Sequence, residues 1–186
     1  GTDQALYRGK FMPGSWTGYL ESYALPYADG DAPTWEAGQL LAAAGPHGRQ
    51  IYTGLGGSRL NFVDGEAATL QSAMGLADAA VAADVIRWTR GEDVTNYRDR
   101  HGWILGDIVH STPVVVGAPT GFTEDPDYQA FLAANANRTP MVYVGANDGM
   151  LHAFLADSGE EAWAFVPEAA LPLLADVADT TNCHVY

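Results

Sequence analysis

Residues Met141–Pro167 read MVYVGANDGMLHAFLADSGEEAWAFVP, three apolar runs (Met141–Gly145, Met150–Leu155 and Ala162–Val166) set apart by two polar, glycine-containing gaps. Val142, Tyr143, Val144, Phe154, Trp163, Phe165 and Val166 are β-branched or aromatic, the types that suit a half-buried pleated sheet. The first gap holds Asn147-Asp148-Gly149. An Asp-Gly pair between apolar runs signals a hairpin, because glycine adopts the positive φ that a twist-matched turn demands and aspartate tolerates it. Asp157-Ser158-Gly159-Glu160 offers a second reversal of the same kind. Three antiparallel strands closing on a tryptophan make most of a four-stranded propeller blade. The same pattern fits a β-meander in a sandwich, and periodicity alone does not separate the two.

Working outward, residues 1–13 read as an irregular lead-in and Ser15–Leu25 as a strand carrying Trp16, Tyr19 and Tyr23. After the turn cluster 27–33, Trp35–Leu41 and Arg49–Thr53 are strand candidates split by Gly45-Pro46-His47-Gly48, and Arg59–Val63 is another. Beyond Leu70 the period changes. Leu76, Ala80, Val81, Val85, Ile86 and Trp88 fall on one helical face, with Asp78 early, Arg87 and Arg90 late, and Gly91 as the stop. A helix over Leu76–Arg90 is predicted. Pro113 starts the strand Val114–Gly117, since proline suits a first-strand position. Asp125-Pro126 caps and opens a short helix towards Asn135, and Glu168–Asp176 reads as a short helix interrupted by Pro172.

Leu105–Pro113 (LGDIVHSTP) with Val114-Val115-Val116-Gly117, followed by VYVGANDGMLHAF and SGEEAWAFVP, resembles the C-terminal propeller of PilC/PilY-type pilus assembly and adhesion factors. That family sits in the wider group of propellers with pyrroloquinoline-quinone (PQQ) repeats. Ser15–Leu20 and Ile86–Gly91 agree in position, so the likeness runs over roughly residues 10–175, with specific matches at about 103–167. It implies a mainly β fold: a partial β-propeller of about two blades plus part of another, with short helical insertions. One domain would cover 1–186: an opening blade at 1–65, a helical insertion and loop at 66–102, the signature blade region at 103–167, and a short helix with the start of the next strand at 168–186. The resemblance marks Gly106, Asp107, His110, Ser111, Pro113, Gly145, Asn147, Asp148, Gly149, His152, Gly159 and Trp163 as signature positions with a structural role. Trp163 is expected to dock one blade against the next.

The implied function is non-enzymatic: support of type IV pilus assembly, adhesion, or both, through protein–protein contacts. The expected partners are the remainder of the same propeller, minor pilins or the pilus tip, and a host or abiotic surface. The expected location is the cell surface, on the pilus or outer membrane, after export. The family's propeller is larger than this chain, and Tyr186 falls where a strand should begin. The expectation is a piece of a longer or split protein whose remainder completes the ring. The family's calcium loop lies C-terminal to the matched blocks and has no counterpart here, so calcium is left to the rest of the full-length protein and no cofactor is assigned to this segment.

Composition narrows the alternatives. With 9 Lys and Arg against 23 Asp and Glu, the net charge is -14. Nucleic acid and anionic membrane surfaces need clustered cations that this chain lacks. No run approaches the ~20 apolar residues that span a bilayer. His47, His101, His110, His152 and His184 are scattered, without the spacing of a zinc site. Asp107 and His110 read as structural, Asp107 accepting turn amides and His110 bonded locally. His152 is expected on the sheet face opposite Leu151 and Ala153. Asp29-Gly30-Asp31 and Glu124–Asp127 fall short of a calcium loop, and Asn147–Gly149 reads as a turn. The rival reading, a fragment of a PQQ-dependent quinoprotein dehydrogenase, implies adjacent cysteines, and Cys183 is alone. A propeller scaffold unrelated to pili is the other alternative. No catalytic, cofactor-binding or metal-binding residue is assigned.

Overall fold

A computed structural model describes residues 5–12, 15–122 and 124–181. In chain order the elements are β1 (Ala5–Met12), β2 (Thr17–Ala24), β3 (Trp35–Glu36), α1 (Ala37–Ala44), β4 (Ile51–Leu55), β5 (Ser58–Asn61), α2 (Ala67–Leu70), α3 (Ala79–Arg90), β6 (Val114–Val116), α4 (Pro126–Ala134), β7 (Met141–Ala146), β8 (Met150–Leu155), β9 (Glu161–Val166) and α5 (Leu174–Ala178). One sheet has three strands in the order β1-β2-β3, the other six in the order β5-β4-β9-β8-β7-β6. Strands β6 to β9 pair antiparallel with one another, the four-stranded unit of a blade. Both reversals use glycine at positive φ, Gly149 at 86° and Gly159 at 76°. The chain is mainly β with short helices, its sheets unclosed, as in a partial propeller.

The described residues up to Asn61 contribute strands to both sheets. β1 to β3 form the smaller one, while β4 pairs in parallel with β9 (Ile51 with Ala164, Thr53 with Val166) and brings β5 to the far edge of the larger. Partners in register share a face, so Ile51, Thr53, Ala164, Val166, Met150, His152, Val142 and Val144 all project from one side. Two hydrophobic clusters lie on that side. Ile51, Met150, Ala164 and Val166 meet Leu70, Val85, Ile86, Leu171 and Leu174 in one. Val142, Val144 and Phe154 meet Leu20, Leu41, Ile104 and Leu105 in the other, under the small sheet. Each fully buried side chain of this size contributes about 1.5–3 kcal/mol.

Three local expectations change. Residues 5–12 are not irregular: β1 pairs with all of β2, and Arg8 and Lys10 reach Glu21 at 2.9 and 2.6 Å. Cross-strand ion pairs replace the apolar alternation that would have marked the strand. Trp35–Leu41 is a strand only to Glu36, whose carboxylate accepts the amides of Gly38 and Gln39 and starts a helix in the alanine-rich AGQLLAAA. The predicted Leu76 helix begins at Ala79, because the Asp78 carboxylate caps the Ala80 amide. Asp125 and Pro126 open α4 as read. Cys183, His184 and the strand expected at the chain's end lie outside the described residues.

The two sheets meet where β2 touches the 103–108 loop. Gly18 donates its amide to Leu105 O at 3.1 Å, and a Cβ on Gly18 would stand 1.9 Å from Gly106 O. Backbone on both sides cannot retreat. Gly18→Ala is therefore expected to cost about 1–3 kcal/mol or more, read as a lowered urea midpoint; Gly45→Ala, with nothing within 4 Å of its Cβ but a φ of 77°, is the strain-only comparison.

Candidate functional site

The two signature blocks are about forty residues apart in sequence and lock together in space. The Gly106 amide donates to Asp148 Oδ2 at 3.0 Å, the Asn147 amide to Asp107 O at 3.0 Å, and Asn147 Nδ2 to Asp107 Oδ2 at 3.0 Å. Gly106 has no room for a side chain, since a Cβ would lie 2.6 Å from the Asp148 nitrogen. The β7–β8 turn is thus clamped onto the 105–107 loop, which in turn holds β2. At Asp107, the position expected to accept turn amides, the carbonyl takes the Asn147 backbone amide and the carboxylate takes the Asn147 side-chain amide.

From this clamp a line of alternating charges runs into the interior. Asp148 accepts the Met150 amide at 3.2 Å and faces His152 Nε2 at 3.1 Å. His152 Nδ1 lies 2.8 Å from Glu161 Oε1. Glu161 is held bidentately by Arg49, Nε on Oε2 and Nη2 on Oε1, both at 2.7 Å. Arg49 Nη1 donates to Arg90 O, and Arg90 returns bonds to Phe62 O and Arg49 O. The side chains of Asp148, His152, Glu161 and Arg49 are 2, 0, 4 and 3% exposed.

Burial disfavours every charge here, yet the neighbours outweigh it. For His152, burial lowers the pKa, but the Asp148 charge and the hydrogen bonds the ring makes to both carboxylates raise it to about 9. Burial alone would lift Asp148; attraction to His152 and Arg100 and the Gly106 amide bring it down to about 2. Glu161, likewise penalised by burial, falls to about 2 through Arg49 and His152. With a carboxylate at each ring nitrogen, His152 is an imidazolium donating twice. The four residues form a neutral, buried ladder that ties strands β8 and β9 to the start of β4. Among the described residues no group of three or more His, Cys, Asp or Glu could hold a metal ion.

Of the other signature positions, Ser111 Oγ accepts the Gly145 amide at 3.0 Å, fastening the segment before Pro113 and β6 onto β7. Gly149 lies against Leu174 and Gly159 beneath Trp35, each without space for a Cβ. His110 is exposed, away from the ladder. Trp163 lies on the sheet's other face, 5.7 Å from Tyr143. Sequence reading missed Arg49, Arg100 and Glu161. The available signal was His152 sharing strand parity with Met150: an inward histidine needs a charged or polar partner. Arg49 lies 112 residues from Glu161, and no local pattern announces it.

Comparison with known proteins places these features. Residues 105–178 match the model of the PilY1 beta-propeller domain. A type IV pilus biogenesis factor PilY1 homolog of Xylella fastidiosa (strain Temecula1) is 36% identical over 100% of this chain and 15% of its own length. The type IV pilus biogenesis factors PilY1 of Pseudomonas aeruginosa strains UCBPP-PA14 and PAK are each 35% identical, over 92 and 86% of this chain and 17 and 16% of theirs. The chain therefore spans about a sixth of the length of these curated relatives. No solved structure matches it.

Proposed function

Residues 105–178 belong to the PilY1 β-propeller domain family, and from that premise we propose that this chain is a non-enzymatic propeller segment of a type IV pilus biogenesis factor, acting through protein–protein contacts. The carrying observation is the clamp between the 105–107 loop and the Asn147–Asp148 turn, which falls inside the matched residues and makes a rigid blade. The remainder of the same propeller is its first partner. Tyr143, Leu151, Trp163, Phe165 and Val114 share the blade face turned away from both cores, Leu151 37% and Val114 56% exposed. An apolar, aromatic face of this kind suits a neighbouring blade, and β5 and β6 are open edges ready to be covered.

On such a platform the exposed loops would contact minor pilins or the pilus tip, and through them a host or abiotic surface, at the cell surface after export. No helix among the described residues is long and apolar enough to cross a membrane. The strongly acidic surface, net charge -14, is consistent with a soluble, non-nucleic-acid partner set.

A chimera tests the proposal. The matching segment of the strain PAK relative is replaced by this chain in a strain lacking its own factor, and surface pili are counted by electron microscopy. Pili at a level within about threefold of the native factor are expected. A chimera that is stably made and exported but leaves the cells bald overturns the assignment.

A further inference from the structure

Arg100 is half-buried, and its hydrogen bonding is unfinished. Its guanidinium lies over Trp88, 4.0 Å from the ring centroid, and Nη1 donates to Ile104 O at 2.7 Å. Nε and Nη2 are closed to solvent and have no acceptor. Burial pulls the pKa down to about 10 against the attraction of Asp148, the mark of a guanidinium without a close counter-ion.

The two open donors are not an arbitrary pair. Nε–H and Nη2–H point the same way along one edge of the guanidinium, the edge that matches both oxygens of a carboxylate. Arg49 displays the completed arrangement in this molecule, with those same two atoms on Glu161 at 2.7 Å each. Arg100 borders a cavity of about 50 Å³ that Trp16, Trp88, Trp103, Asn147 and Val177 also line. At ~10–15 Å³ per water this is space for roughly three to five waters, or one carboxyl group with a methylene or two. Three carboxylates share the wall, and each already accepts hydrogen bonds: Asp148 from Gly106 and His152, Asp107 from Asn147, Asp99 from His101. The unmet demand is for an acceptor.

We propose that this cavity binds a carboxylate, gripped side-on by Nε and Nη2 of Arg100. Binding requires the guanidinium to turn towards the cavity while keeping its stack on Trp88. The carboxylate comes either from a free small acid or from an acidic side chain of a protein segment. The chemistry at Arg100 is the same for both.

The tryptophans on the wall supply the readout. Intrinsic fluorescence of the 186-residue chain is followed during titration with sodium acetate and, separately, with N-acetylglutamate amide, each against sodium chloride at matched ionic strength. A saturable change with the carboxylates and not with chloride is expected. Tighter binding of the glutamate compound assigns a protein-borne group, and equal or weaker binding a free acid. Arg100→Lys keeps a charge but removes the fork, and should weaken the response at least tenfold. Val177→Phe fills the cavity with Arg100 intact and should abolish it, which covers the case in which Arg100→Lys does not fold. A response that never saturates, equals that of chloride, or survives Val177→Phe leaves only water in the cavity and overturns the proposal.

Discussion

Glu161→Ala is expected to cost about 3–5 kcal/mol of folding stability, the range for removing one partner of a buried ion pair. The loss is large because two cations depend on this carboxylate. Arg49 donates to both of its oxygens at 2.7 Å, and His152 Nδ1 shares Oε1 at 2.8 Å. With side-chain exposures of 3 and 0%, neither can turn to water for compensation. A surface pair sets the scale. Arg8 with Glu21 has the same chemistry, but the Arg8 side chain is 42% exposed, so Arg8→Ala should shift the urea midpoint far less than Glu161→Ala. Urea unfolding of the two variants, at unchanged slope, distinguishes them. A Glu161→Ala loss below about 1 kcal/mol would mean that Arg49 and His152 find other partners and that the ladder does not hold the blade. Glu161→Gln should fall between, since an amide keeps the shape and one acceptor but offers Arg49 no charge.

The antiparallel strands β7, β8 and β9 could be read in the sequence because their turn chemistry is local: Asp148-Gly149 and Ser158-Gly159 announce reversals within four residues. The α4 cap at Asp125 was legible for the same reason. What failed were elements held from a distance. β1 is a strand because β2 and Glu21 make it one, and nothing in ALYRGKFM says so. The residues after Glu36 become a helix because its carboxylate satisfies the amides two and three positions on, which a strand would have paired across the sheet. The parallel pairing of β4 with β9 spans more than a hundred residues and has no sequence signature at all. At the clamp, the residue types Gly106, Asp107, Asn147 and Asp148 were visible as turn formers, but which turn would meet which loop was not.

The ladder also explains how one face of the large sheet is kept in register. His152 stands between the two hydrophobic clusters, with Met150 in one and Phe154 in the other. A slip of β8 by a single residue would send an imidazolium to the aromatic face and strand Asp148, Glu161 and Arg49 in the interior. Apolar side chains alone tolerate such slips more readily, because Leu151 and Leu155 could substitute for Met150 and Phe154. The charges therefore join the β4 hairpin, β9, β8 and the 105–107 loop in a single arrangement, and the open aromatic face is left for the next blade.

The same chemistry makes stability depend on pH with a definite sign. His152 has a folded pKa of about 9, above its ordinary value of ~6.5. Its contribution is complete below about pH 6.5 and is lost as the pH rises through 9. Asp148 and Glu161 have folded pKa values of about 2, below the usual ~4, so their contribution is complete above about pH 4.5 and is lost as the pH falls through 2. Stability should therefore be greatest near pH 5–6 and decline on both sides. Integrated over the alkaline limb the loss is about 3 kcal/mol, at ~1.4 kcal/mol per pH unit of difference between the two states. Urea midpoints at pH 6 and pH 9 measure it directly. His152→Gln should be less stable at pH 6 and should flatten the slope between pH 6.5 and 9. A wild-type chain equally stable at pH 6 and 9 would show that His152 folds neutral, and the alternation of charge from Arg49 to Asp148 would then have to be abandoned.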